Sequence, residues 1–194
     1  RISLRNARQT FQVSGVMISG ANSPAVPYPS ASRAWYTVTL LTLAYILSFF
    51  DRQILSLLIE PIKRSFELSD TQVGLLLGPA FAVFYVTLGY PAGILADRKS
   101  RKVLIAAGIT VWCLMTALCG LAKDFKQLFA ARVGVGVGEA TLTPAALSLI
   151  CDSFPHDRRA RPISVYMMGI SLGSALAYLV GGQLLEPMLA WPRR

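Results

Sequence analysis

Apolar residues fill five long runs of this chain, at about 35–59, 71–95, 103–122, 127–151 and 163–185, separated by short charged segments. A bilayer core about 30 Å thick takes roughly 20 mainly apolar residues as a helix, so each run predicts one membrane-spanning helix. Apolar runs of this length also occur as buried helices of large soluble enzymes. Five of them in 194 residues leave too little polar chain to cover them. The pattern predicts an all-α membrane protein.

Residues 1–34 break the pattern. The stretch SGVMISGANSPAVPYPSAS is rich in Ser, Gly, Pro and Ala and has no sustained helical period. It predicts a disordered, basic cytoplasmic tail. Arg1, Arg5 and Arg8 ahead of it suggest a signal peptide as the competing reading, but Ser14, Gly15, Ser19 and Gly20 interrupt the apolar core such a peptide needs. The helical bundle is therefore assigned to 35–194.

Composition agrees with the pattern: 54% of residues are hydrophobic, 15% charged, and the mean hydropathy is +0.51. The net charge of +9 raises nucleic-acid binding as an alternative, which the placement of the charges answers. With a cytoplasmic N-terminus, 11 of the 19 Lys and Arg residues fall on the inner side and six on the outer, leaving Arg52 and Arg132 inside spans. That bias follows the positive-inside rule. It predicts a multi-pass protein of the bacterial inner (plasma) membrane with its N-terminus inside, and no nucleic-acid partner is needed to explain the charge.

Candidate chemistry is sparse. Cys113, Cys119 and Cys151 lie within spans with no His beside them, so no zinc spacing arises, and His156 sits in the charged loop SFPHDRRARP. No Ser-His-Asp set and no HExxH motif is present, so no catalytic residue, metal or cofactor is assigned. Gly134, Gly136 and Gly138 suggest a dinucleotide-binding loop at first sight, but Glu139 stands where the third glycine of that fingerprint belongs. Inside a span, small residues instead let helices approach closely or leave room for a cavity.

The segment between the second and third runs, GYPAGILADRKSRKVLI, is more specific. It sets Gly93, Asp97, Arg98, Arg101 and Lys102 in a turn short enough to make the flanking helices antiparallel neighbours, with Asp97 able to pair with the loop arginines or face a helix N-terminus. Its ordered pattern resembles the signature loop of the major facilitator superfamily, with Ser100 where the family usually has Gly. LFAARVGVGVGEATLTPAA resembles the fourth-helix motif of that family, whose Arg matches Arg132. FDRQILSLLIEPIK, SDTQVGLL and ARVGVGVGEA resemble its spinster branch.

The resemblance implies a secondary active transporter of amphiphilic, lysolipid- or sphingolipid-like or other anionic small molecules, apparently proton-coupled, with the signature loop as its conformational gate. A sugar or organic-anion carrier is the alternative within the family; a membrane-embedded enzyme or a non-transporting helical partner is the alternative outside it. Ser174 replaces the Pro of an antiporter motif, which leaves the direction of coupling open. Family members have twelve helices in two six-helix halves. Five helices read as most of an N-terminal half, from a fragment or a prematurely ended reading frame, with the missing C-terminal half, membrane lipids, protons and substrate as its partners.

Two acids and two arginines remain inside the spans: Asp51, Arg52, Arg132 and Glu139. A charge at the bilayer centre costs about 2.5–3.5 kcal/mol on insertion scales, so such groups face partners or a wet cavity. At about 1.5 Å per residue, Asp51 lies about 24 Å from Trp35 and Arg132 about 8 Å inside the opposite face, which places them at one depth. Glu139 faces the same side about 10 Å deeper. The family's first and fourth helices both line its central cavity, so the four charges are expected to form one constellation there. Asp51 is expected to be the main proton-responsive acid with Arg52 as its switchable partner. Glu139 is the second acid, and Arg132 pairs with it or binds an anionic headgroup. Purely structural salt bridges are the alternative. Tyr45, Phe49, Phe81, Phe84 and Tyr85 supply apolar surroundings or helix packing.

Overall fold

The computed structural model describes residues 28–98 and 100–189, with the side chains of 96–98 and 184–189 left out of the description. The helices are α1 (Ala31–Ser65), α2 (Asp70–Leu77), α3 (Pro79–Arg98), α4 (Arg101–Leu121), α5 (Phe125–Glu139), α6 (Leu142–Ser153) and α7 (Ala160–Leu189), with a 3-10 turn at His156–Arg158 before α7. No strand occurs among the described residues. Five segments are long and apolar enough to cross a membrane: Ala31–Ser65, Asp70–Leu95, Arg101–Leu121, Phe125–Ser153 and Ala160–Gln183. The five-span, all-α architecture expected from the apolar runs is the one observed.

The boundaries differ in instructive ways. α1 begins at Ala31, inside the stretch assigned to the tail, and continues through Pro61 to Ser65. Residues 1–27, the bulk of that tail, lie outside the described residues. The second span is broken at Gly78 (φ −106°, ψ −85°), immediately before Pro79, which has no N–H to continue the ladder. The fourth is broken between Glu139 and Leu142. There Pro144 cannot donate to the Ala140 carbonyl, so the helix restarts as α6. Uninterrupted apolar content hides such breaks, because each half remains helical and apolar.

Charged and capping residues set the span ends. Asp124 accepts from the Gln127 N–H at 2.8 Å to start α5, and Ser69 and Gln72 form a capping box at α2. Lys63 pairs with Asp70 across the α1–α2 connection.

α1 lies along α7, α4 lies along α5, and α3 packs on α5 and α6. The α4–α5 crossing is backbone to backbone. A Cβ on Gly138 would stand 2.6 Å from the Trp112 N and 2.8 Å from the Gly108 O. On the other side of α5, a Cβ on Gly136 would stand 2.9 Å from the Phe81 O of α3. The glycine run thus brings two neighbouring helices against α5, as expected of small residues within a span. Val38, Leu41, Tyr45, Ala145, Ala146, Ile150 and Tyr166 form the main core, between α1, α6 and α7; Phe81, Trp112 and Val135 form a second, beneath the intramembrane charges.

Candidate functional site

α1 carries Asp51 and Arg52 as neighbours, and a helix turns about 100° per residue. They therefore point in different directions. Arg52 reaches α5, where its Nη2 lies 2.5 Å and its Nε 2.7 Å from Glu139 Oε2. Ser48, one turn earlier on α1, donates to the same oxygen at 2.7 Å. Asp51 turns to α4: its Oδ2 accepts from Trp112 Nε1 and Thr116 Oγ1, each at 3.3 Å, and lies 3.6 Å from Arg132 Nη1 of α5.

This corrects the expected pairing. Arg52 is the partner of Glu139 rather than of its neighbour Asp51, and Arg132 faces Asp51 rather than Glu139. The helix rotation directs the adjacent pair to different partners.

The two ion pairs share an aromatic neighbour. The Arg52 guanidinium lies over the rings of Phe81 (4.4 Å), Tyr85 (4.7 Å) and Phe49 (4.9 Å). Arg132 lies 5.7 Å from the centre of the same Phe81 ring. Phe81 thus stands between the two ion pairs, held there by the close approach of its backbone to Gly136. Tyr85 stacks on Phe81 and Tyr45 on Tyr166, while Phe84 is exposed and takes no part.

The two acids differ in access. The Glu139 side chain is 0% exposed, whereas that of Asp51 keeps 16%. Asp51 sits at the end of a largely apolar groove of about 640 Å³ between α1 and α4, lined by Leu40, Leu47, Trp112 and Thr116 among others. Among the described residues, three buried side-chain polar atoms have no hydrogen-bond partner among the protein's groups: Glu139 Oε1, Arg132 Nε and the Tyr166 hydroxyl. Leaving such an atom unsatisfied costs about 1–3 kcal/mol. Folding alone would favour apolar replacements here.

The expected turn is shorter than the sequence suggests: α3 runs to Arg98 and α4 starts at Arg101, so Gly93, Asp97, Arg98, Arg101 and Lys102 are helical. A Cβ on Gly93 would meet Pro144 Cβ of α6 at an ordinary 3.9 Å. Arg101 pairs with Asp152 at the end of α6, and Lys102 is exposed. Asp97 and Arg98 lie in the last turn of α3, with their side chains outside the description. Ser48, Trp112, Thr116, Thr143 and Tyr166 were not singled out from the sequence. Two signals were available: Ser48 precedes Arg52 by one turn, and Trp112 and Thr116 share a face of an otherwise apolar helix. No group of three or more metal-ligating side chains occurs among the described residues.

Comparison with known proteins places this geometry. Residues 41–192 match the Major Facilitator Superfamily. An MFS-type efflux pump of Mycolicibacterium smegmatis is 40% identical, over 82% of this chain and 37% of that protein. Protein spinster of Drosophila melanogaster is 32% identical, over 77% of this chain and 24% of that protein. A probable L-galactonate transporter of Escherichia coli is 32% identical, over 71% of this chain and 30% of that protein. Among solved structures, a bacterial homolog to the human lysosomal transporter spinster, inward-facing and unoccupied, has a TM-score of 0.77 at 44% identity, over 80% of this chain and 33% of that one. The chain spans between 24% and 37% of the length of these curated relatives. Family match, fold and spinster relatives agree with the motifs of the loop and the fourth span: this chain belongs to the major facilitator superfamily, in its spinster-like part.

Proposed function

We propose that this chain serves as the N-terminal helical part of a proton-coupled secondary transporter for an anionic amphiphile of the lysolipid or sphingoid type. The observation that carries the reading is Glu139, wholly buried in a spanning bundle and held by Arg52 and Ser48. A carboxylate there needs its arginine; protonated, it does not. Moving Arg52 toward an anionic headgroup would release Glu139 to take a proton, so substrate and proton exchange one cation between them. Asp51, more exposed and held by Arg132, is the second acid of the same device. Phe49, Phe81 and Tyr85 around Arg52 offer an apolar wall beside the charge, as an amphiphile requires. The probable L-galactonate transporter supports a sugar acid as the second reading, since it too would present a carboxylate to Arg52.

Alternating access in this fold rocks one half against another around a midplane site. Residues 28–189 joined to the remainder of the 44% identical homolog should therefore take up a fluorescent lysophospholipid, a sphingoid phosphate or L-galactonate saturably in liposomes. The 194-residue chain alone should not. Saturable uptake by the chain alone, or none of the three by the joined protein, would overturn the reading.

The reading also places the α1 N-terminus and the 96–102 loop on the cytoplasmic side of a bacterial plasma membrane, on the charge bias given above. Gly93, Asp97, Arg98, Arg101 and Lys102 flank the α3–α4 connection, which acts as the gate, with the Arg101–Asp152 pair tying α4 to α6. Single cysteines at Ser100 and Ser65 test the orientation. An impermeant reagent outside the cell should label position 65 and spare position 100, and the reverse result would reject it.

A further inference from the structure

One turn beyond Glu139, at the start of α6, Thr143 lies at the centre of a second polar group. The Tyr85 hydroxyl of α3 lies 3.5 Å from Thr143 Oγ1. Tyr45 of α1 and Tyr166 of α7 stack with ring centres 4.4 Å apart, in the neighbourhood of Thr143. The Tyr166 side chain is wholly buried, and its hydroxyl makes no direct hydrogen bond to protein. Four hydroxyl-bearing side chains from four helices thus gather in one region of the bundle, one helical turn from a carboxylate whose Oε1 is also unpartnered. Ser48, on Glu139 Oε2, lies one turn along α1 from Tyr45.

Packing does not require this. Phe in place of Tyr45 and Tyr166 would stack equally well, and Val would fill the place of Thr143. The unpartnered, buried Tyr166 hydroxyl in a polar cluster instead suits bound water, which needs two to four polar partners. Tyr85, only partly buried, is the member that reaches the edge of the core.

We propose that Thr143, Tyr166, Tyr45 and Tyr85 hold water and relay protons between Glu139 and the exposed side of Tyr85. The proposal rests on the reading of Glu139 as a proton-exchanging acid. A proton leaving Glu139 Oε1 bonds to a water oxygen as that water passes one of its own to the next hydroxyl oxygen. Each hydroxyl in turn gives up one proton as it gains another, and the last is released to solvent. Every oxygen between the ends finishes with the protons it began with, and no tyrosinate forms. The charged groups facing Glu139 are Arg52 and, farther off, Asp51 from α1. Arg132 lies two turns away on its own helix, and the proposal leaves all three unchanged.

The test follows the infrared band of the protonated Glu139 carboxyl after a pH jump, using the 194-residue chain in lipid nanodiscs and the band's loss in Glu139→Gln to assign it. Tyr166→Phe and Thr143→Val should slow its rise roughly tenfold, the factor that one hydrogen bond's worth of free energy carries. The titration midpoint should stay in place. Thr143→Ser, which keeps the hydroxyl, should restore the rate and separates relay from packing. Unchanged rates in Tyr166→Phe and Thr143→Val, with Glu139 still titrating, would reject the relay and leave the functional reading standing. A Glu139 band that never titrates would reject both.

Discussion

Arg52→Ala is expected to destabilise the bundle by about 3–5 kcal/mol, because it leaves the wholly buried Glu139 carboxylate without its cation. Glu139→Gln should cost less. The amide has nearly the same shape and keeps an acceptor for Ser48, and Arg52 retains its three aromatic neighbours. The double variant Arg52→Ala, Glu139→Gln should then recover most of what Arg52→Ala loses, since the penalty lies in the abandoned charge rather than in the lost contact. Unfolding of the four proteins in mixed micelles closes the cycle. Additive losses would mean that Arg52 and Glu139 do not interact in the folded state. The parallel change Arg132→Ala should cost less, because the Asp51 carboxylate keeps Trp112 and Thr116 as donors and part of its exposure.

The spanning helices were legible because a bilayer demands long apolar runs, and nothing else in so short a chain produces five of them. Breaks within spans were not. Gly78–Pro79 and Pro144 interrupt hydrogen bonding without changing hydropathy, so the runs read as continuous. Asp51, Arg52, Arg132 and Glu139 were legible as a group, since charges inside spans are costly and their spacing put them at related depths. Who pairs with whom was not, because depth is one coordinate and pairing needs the rotation of each helix as well. The 100° step from Asp51 to Arg52 was available: it turns Asp51 toward Trp112, Thr116 and Arg132, and Arg52 toward Glu139. Ser48 and the Thr143 cluster stayed hidden because single hydroxyls are common in spans, where they often bond their own helix, as Thr42 does to the Val38 carbonyl at 2.8 Å. Only convergence from four helices distinguishes the cluster.

Loss of proton coupling is the other large effect expected. If Glu139 and Asp51 carry the exchanged protons, fixing them in neutral form removes the link between the pH gradient and net movement without removing the path for substrate. Arg132→Ala should act differently, weakening the hold on Asp51 and on an anionic headgroup while some gradient response remains. The decisive measurement is uptake by the protein completed with the homolog's remaining helices, in liposomes with and without a pH gradient, beside exchange of labelled substrate at equal concentration on both sides. The account predicts that Glu139→Gln and Asp51→Asn bring gradient-driven uptake down to its level without a gradient while exchange continues. Full gradient-driven uptake in Glu139→Gln would contradict it.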